Sequence, residues 1–171
     1  AMGGRPYNSH FEIAFAALMG AGFSAFLSVF LWSTYVLGPL EGPWERAVLG
    51  CALICSVFNL GNILPVWKFD GGQILRQIFR ERIQLYLMSL FLLVGIVVYC
   101  LALGLPWEIV IFGLVVVAGL TLVTGTNTVK PRTALIAMTQ FERGLTFGGL
   151  MAVMIIHAFV VQWSVSAILA G

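Results

Sequence analysis

Long apolar runs alternate along this chain with short stretches rich in Pro, Gly and charge. Five such runs can be marked, at residues 11–36, 46–64, 85–103, 107–124 and 145–169. Each is close to or above the roughly 18–20 residues that a helix needs to cross a hydrocarbon core about 30 Å thick. The connections are LGPLEGPWE (37–45), residues 65–82, GLPWE (104–108) and residues 125–144, and Pro or Gly punctuates each, as expected where helices stop. The pattern predicts an all-α, polytopic transmembrane helical bundle of about five spans. One connection is unusual. In FNLGNILPVWKFDGGQILRQIF (58–79) an apolar helix breaks at Pro65, places Asp70 before Gly71-Gly72, and then resumes as helix towards Arg82, giving a broken helix at residues 65–72.

Composition agrees with the pattern. Of the 171 residues, 60% are hydrophobic and 9% charged, whereas a soluble domain carries about a quarter charged residues; the mean hydropathy is +1.01. A soluble globular domain is excluded, and the lipid bilayer is the first expected partner. The net charge of +2, spread over loops, makes no nucleic-acid footprint. Its placement is informative instead. Arg5, Arg76, Arg80, Arg82, Lys130, Arg132 and Arg143 fall on one side of the five-span scheme, whereas the other side holds Arg46 with Glu41, Glu45 and Glu108. The excess of basic residues in cytoplasmic loops predicts a cytoplasmic N-terminus, an external C-terminus and a cytoplasmic 65–82 connection. The expected setting is the cell (inner) membrane.

A carboxylate beside a broken helix has two readings. Charge at a span centre costs roughly 2.5–3.5 kcal/mol, and irregular backbone at membrane depth is tolerated only against protein or a wet cavity. Pro65 removes an amide and turns Leu64 from helix, while Gly71 and Gly72 permit unusual angles and close approaches. Asp70 can serve as an N-cap for a helix at 73–82. Alternatively, it faces a polar cavity and ligates a metal ion.

The spacing Asn-x-x-Pro-x-x-x-x-Asp-Gly-Gly, filled by Asn62, Pro65, Asp70, Gly71 and Gly72, resembles a signature of the site-2 protease family of intramembrane zinc metalloproteases. GGRPYNSHFEIAFAALMGAGFSAFL is similar to the family's lead-in, in which a core helix begins at a small-residue turn, here Ala21-Gly22. The resemblance covers roughly residues 3–82 and implies a domain at 1–82 like the C-terminal part of the catalytic core. Residues 83–171 would add three transmembrane helices of unknown role. It also implies that Asp70 is the third zinc ligand, supported by Asn62, Pro65, Gly71 and Gly72, in an enzyme that cleaves a transmembrane peptide or protein substrate. Lys68-Phe69 stands where the family has Pro-Leu, and Phe23 where it often has Pro. HExxH, which supplies two zinc ligands and the general base, is missing, since HFEIA (10–14) has the wrong spacing. Asp70 supplies one of about three protein ligands, so zinc is expected only with upstream ligands. The expectation is an N-terminally truncated chain, inactive alone. The alternative is a non-catalytic integral membrane protein or transporter-like subunit that binds a cation or partner.

Other residues read more simply. His157 is an intramembrane His and so a candidate, but as a packed or hydrogen-bonded helix residue it needs no function. Asn59 suits an interhelical hydrogen bond, and Gly148-Gly149 suits close helix packing. His10 and Glu12 suit a membrane edge, and Lys68 can snorkel to headgroups or pair with Asp70. Trp32, Trp44, Trp67, Trp107 and Trp163 suit an aromatic belt. Cys51, Cys55 and Cys100 read as small hydrophobes in helices. Residues 125–144 are either a short interfacial helix or a linker.

Overall fold

A computed structural model describes residues 7–39, 41–65, 69–79, 81–124 and 135–170, with backbone alone at 117, 118 and 120–124. The described residues form six helices: α1 (His10–Leu37), α2 (Pro43–Asn62), α3 (Asp70–Ile78), α4 (Arg82–Ala102), α5 (Trp107–Thr124) and α6 (Gln140–Ala170). Four of them, α1, α2, α4 and α6, are long and apolar enough to cross a bilayer, which makes this a multi-pass membrane protein. α5 has 18 residues, about 27 Å of helix, and its described apolar part is Trp107–Val116.

Helix starts follow local chemistry. Ser9 caps α1 by accepting a hydrogen bond from the Glu12 amide at 3.1 Å, and Pro43 opens α2, where its missing amide costs nothing. Thr139 and Glu142 close a reciprocal capping box at α6, with Thr139 N donating to Glu142 Oε2 at 2.7 Å and Glu142 N to Thr139 Oγ1 at 3.2 Å. This box starts α6 five residues earlier than the hydrophobic run alone suggests.

The bundle is apolar outside, and its interior joins aliphatic side chains such as Ile63, Ile74, Leu75 and Leu150 with small and polar ones. Phe23, Phe26, Phe58, Phe91 and Phe112 are exposed, whereas Ala14, Ala21, Ala25 and Ala52 are buried along with Ser28, Ser56, Thr146, His157 and Ser164. Lipid solvates apolar side chains as well as a core does, so small residues that let backbones approach are favoured between the helices. α1 and α6 run parallel: Leu18 meets Gly149, Ser24 meets His157, and Trp32 stacks on Trp163 with centroids 5.7 Å apart. α2 returns antiparallel to α1, with Cys55 Sγ near the Ser24 carbonyl. Although α6 comes last in sequence, it packs against α1, α2 and α3.

α4 and α5 sit to one side of this group. A named polar tie to it is the Tyr99 hydroxyl of α4, which donates to the Ala158 carbonyl of α6. Hydrogen bonds between membrane helices contribute on average about 0.6 kcal/mol and at most about 1.7. Tyr99→Phe should therefore lower the thermal unfolding midpoint in detergent modestly while leaving the helical content unchanged. An unaltered midpoint would remove this bond from the account of how α4 is held.

The two ends of the bundle differ. At the end that holds the start of α1, the His10 amide donates to the Ile136 carbonyl at 3.1 Å and the Ile136 amide to the Asn8 carbonyl at 3.0 Å. His10 Nδ1 also pairs with Gln77 Oε1 of α3. The segment before α1, α3 and the segment before α6 thus share one end. Residues 135–139 are not helical, with a single bridge at Ile136, and residues 125–134 lie outside the described set. Trp32, Trp44, Trp107 and Trp163 all lie within about two turns of the opposite ends of their helices. Trp67 and Lys68 lie outside the described residues.

Candidate functional site

The corner between α2 and α3 is built around one glycine. α2 runs to Asn62 and then tightens, with Ile63 N bonded to Asn59 O at 3.0 Å and Leu64 N to Gly61 O at 3.2 Å. Pro65 follows, and the chain returns with Phe69 extended (φ −78°, ψ 159°) before α3 begins. Gly71 then lies directly on the end of α2. A Cβ there would fall inside the Ile63 carbonyl group and 2.8 Å from the Leu64 carbonyl oxygen. Both obstacles are backbone and cannot rotate away. Among the described residues, only Gly42 and Gly104 adopt positive φ. Gly71 is therefore required for space, not for an unusual backbone angle.

This contact fixes Asp70. The helix expected at 73–82 starts at Asp70 instead and ends at Ile78, where Phe79 turns extended (φ −103°, ψ 113°). Phe69 therefore holds the N-cap position and Asp70 is the first helical residue, so the N-cap reading of Asp70 is corrected. The side chain is half-buried and, among the described residues, makes no hydrogen bond or ion pair. Burial raises its pKa above the usual carboxylate value, because the charged form is poorly solvated there. α3 is sharply two-faced. Ile74, Leu75 and Ile78 are buried with Gly71 and Gly72, while Arg76 Nε donates to the Gly72 carbonyl at 3.1 Å.

The remaining expected site residues divide. Asn62 and Pro65 lie on the corner, half-buried, and among the described residues the Asn62 amide makes no hydrogen bond. Asn59 instead bonds back to the Cys55 carbonyl at 2.8 Å within α2, so the interhelical role expected for it is not what the geometry gives. His157 is fully buried on α6, with Nε2 3.3 Å from Ser24 Oγ, which also donates to Ala21 O at 2.8 Å. It is a packed residue of a serine-lined interior. Ala21-Gly22, expected at a turn, lie inside the unbroken α1, with Ala21 buried. Their small size serves helix packing, as in the buried series Ala14, Ala21, Ala25 and Ser28. Gly149 meets Leu18 closely, whereas Gly148 faces open space.

Whether the residues fit a catalytic zinc is a question about donors. Every His, Cys, Asp and Glu of the sequence lies among the described residues, and no three of them come together. Asp70 fits as a single oxygen ligand, and these residues alone do not complete a zinc site. Sequence reasoning passed over two features of this end of the molecule. One is the His10–Gln77 pair, for which no local signal exists. The other is the Thr139-x-x-Glu142 box, which its spacing could have revealed. Neither a family model, nor a curated protein, nor a solved structure matches this chain.

Proposed function

We propose that this chain carries the third metal ligand of an intramembrane zinc metallopeptidase of the site-2 protease type, with Asp70 as that ligand. The observation that carries the reading is a half-buried carboxylate without a partner among the described residues, on a corner that backbone contact makes rigid. A ligand must be held in one geometry to be useful, and the Gly71 contact with the end of α2 supplies that constraint. Gly72 carries α3 onward through its bond to Arg76, and Asn62 and Pro65 shape the approach. Zinc bound there would polarise a scissile carbonyl and lower the pKa of its water. The other ligands and the general base would come from an HExxH helix outside these residues, and the substrate would be a transmembrane peptide or protein.

The orientation belongs to the same proposal: the end holding α3 and the start of α1 faces the cytoplasm of a cell (inner) membrane, in line with its basic residues. A second reading is a non-catalytic membrane protein whose corner binds a cation or partner, favoured by the lack of three convergent metal-binding side chains among the described residues.

Zinc content separates the two. A polypeptide joining an HExxH-bearing helix to this chain, purified in detergent, should hold one zinc per molecule, and the chain alone none. A joined polypeptide that binds no zinc would sink the protease reading.

A further inference from the structure

A cavity of about 470 Å³ opens between α3 and α4 beside the corner. Gly72 and Arg76 line it from α3, and Arg82, Leu85, Tyr86 and Ser89 from the first two turns of α4. Both of its charged lining residues are arginines, and no carboxylate lines it among the described residues. The start of α4 adds to the positive character. Glu81 at the N-cap contributes no side-chain cap, and the first helical bond there runs from Leu85 N to Glu81 O at 3.1 Å. Among the described residues no side chain caps the first turn, which lies at the positive end of the helix dipole. Guanidinium groups, a hydroxyl and helix-start amides together are the donors that bind a phosphate oxygen.

The cavity also has an apolar side. Leu85 and Tyr86 line it, and Tyr86 and Leu90, one turn on, are more than half exposed along α4, where lipid covers them in a membrane. An inorganic ion would use only the polar mouth; a phospholipid would use both parts. We propose that this cavity is a headgroup site for an anionic phospholipid, with the phosphate against Arg76 and Arg82 and an acyl chain along α4. The inference rests on the α3–α4 geometry alone and is independent of the protease reading.

The test is native mass spectrometry of the full chain released from micelles that contain phosphatidylglycerol and phosphatidylcholine. The wild-type chain should retain one phosphatidylglycerol in preference to phosphatidylcholine. Arg82→Gln, on an exposed side chain, should retain about fivefold less, and Arg82→Lys should recover most of it. Arg46→Gln at the opposite end should change nothing. Equal retention in Arg82→Gln, or an equal loss in Arg46→Gln, overturns the site. Displacement of the lipid by excess inorganic phosphate overturns the lipid assignment and leaves a site for the free ion.

Discussion

Gly71→Ala should cripple folding of this chain, whereas Gly61→Ala, ten residues earlier, should be harmless. The added methyl at position 71 meets the Ile63 carbonyl group and lies 2.8 Å from the Leu64 carbonyl oxygen. Relief requires moving the end of α2 away from α3, and with it the buried set Ile63, Ile74, Leu75 and Ile78. Inserting atoms into packed space commonly costs about 1–3 kcal/mol when side chains can yield. Here only backbone can, so a loss of about 3 kcal/mol or more is expected. Gly61 is helical with nothing within 4 Å of the same added atom, and alanine there removes the entropic penalty of glycine, roughly 0.5–1 kcal/mol. Thermal unfolding in detergent, read by helical signal, should place Gly71→Ala far below wild type and Gly61→Ala at or above it. Similar midpoints for the two variants would mean that the corner is soft, and the rigid placement of Asp70 would go with it.

That contact marks how far the sequence could be read. Hydrophobic run length found the membrane helices, because a bilayer imposes one length and one polarity on anything that crosses it. The break at Pro65 and the return at Asp70 were also legible, since proline and glycine act locally. The reason for Gly71 was not. Sequence allows either an unusual φ or a close approach, and only the position of Ile63, eight residues back, decides for the approach. Ala21-Gly22 failed differently. Glycine in a soluble helix is a breaker, but in a membrane small residues such as alanine and glycine draw helices together, so a suspected turn is a stretch of the unbroken α1 with Ala21 buried. Asp70 slipped by one step, from N-cap to first helical residue, because Phe69 already has the extended geometry a cap requires. The grouping of α6 with the first three helices could not be read at all, since lipid-facing and protein-facing apolar surfaces look alike in sequence.

Asp70→Asn should separate stability from metal binding, and the two should not fall together. In the metal-free chain the carboxyl has a pKa above its unfolded value, raised by burial. Its ionised form is therefore disfavoured by the fold. As pH falls through the folded pKa, the native state takes up a proton before the unfolded state does, and stability rises until the unfolded pKa is reached. That contribution is fully present below the unfolded pKa and is lost as pH rises through the folded one. Asparagine has nearly the same shape and no charge, so Asp70→Asn should be at least as stable as wild type near neutral pH. It should also lack the part of the acid-side gain that Asp70 supplies. Zinc reverses the preference, because it binds the ionised carboxylate. In a polypeptide that also carries an HExxH helix, Asp70→Asn should lose zinc and at least about a hundredfold in cleavage of a transmembrane substrate, the scale of a lost transition-state interaction of about 2.7 kcal/mol. Unfolding midpoints across pH, zinc per molecule and cleavage rate give three readings on one substitution. If zinc and cleavage survive while the pH response disappears, Asp70 is a buried carboxyl on a rigid corner and some other side chain holds the metal. If the midpoint collapses at neutral pH, the ionised carboxylate stabilises the α2–α3 corner, and its ligand role would have to be argued from another variant.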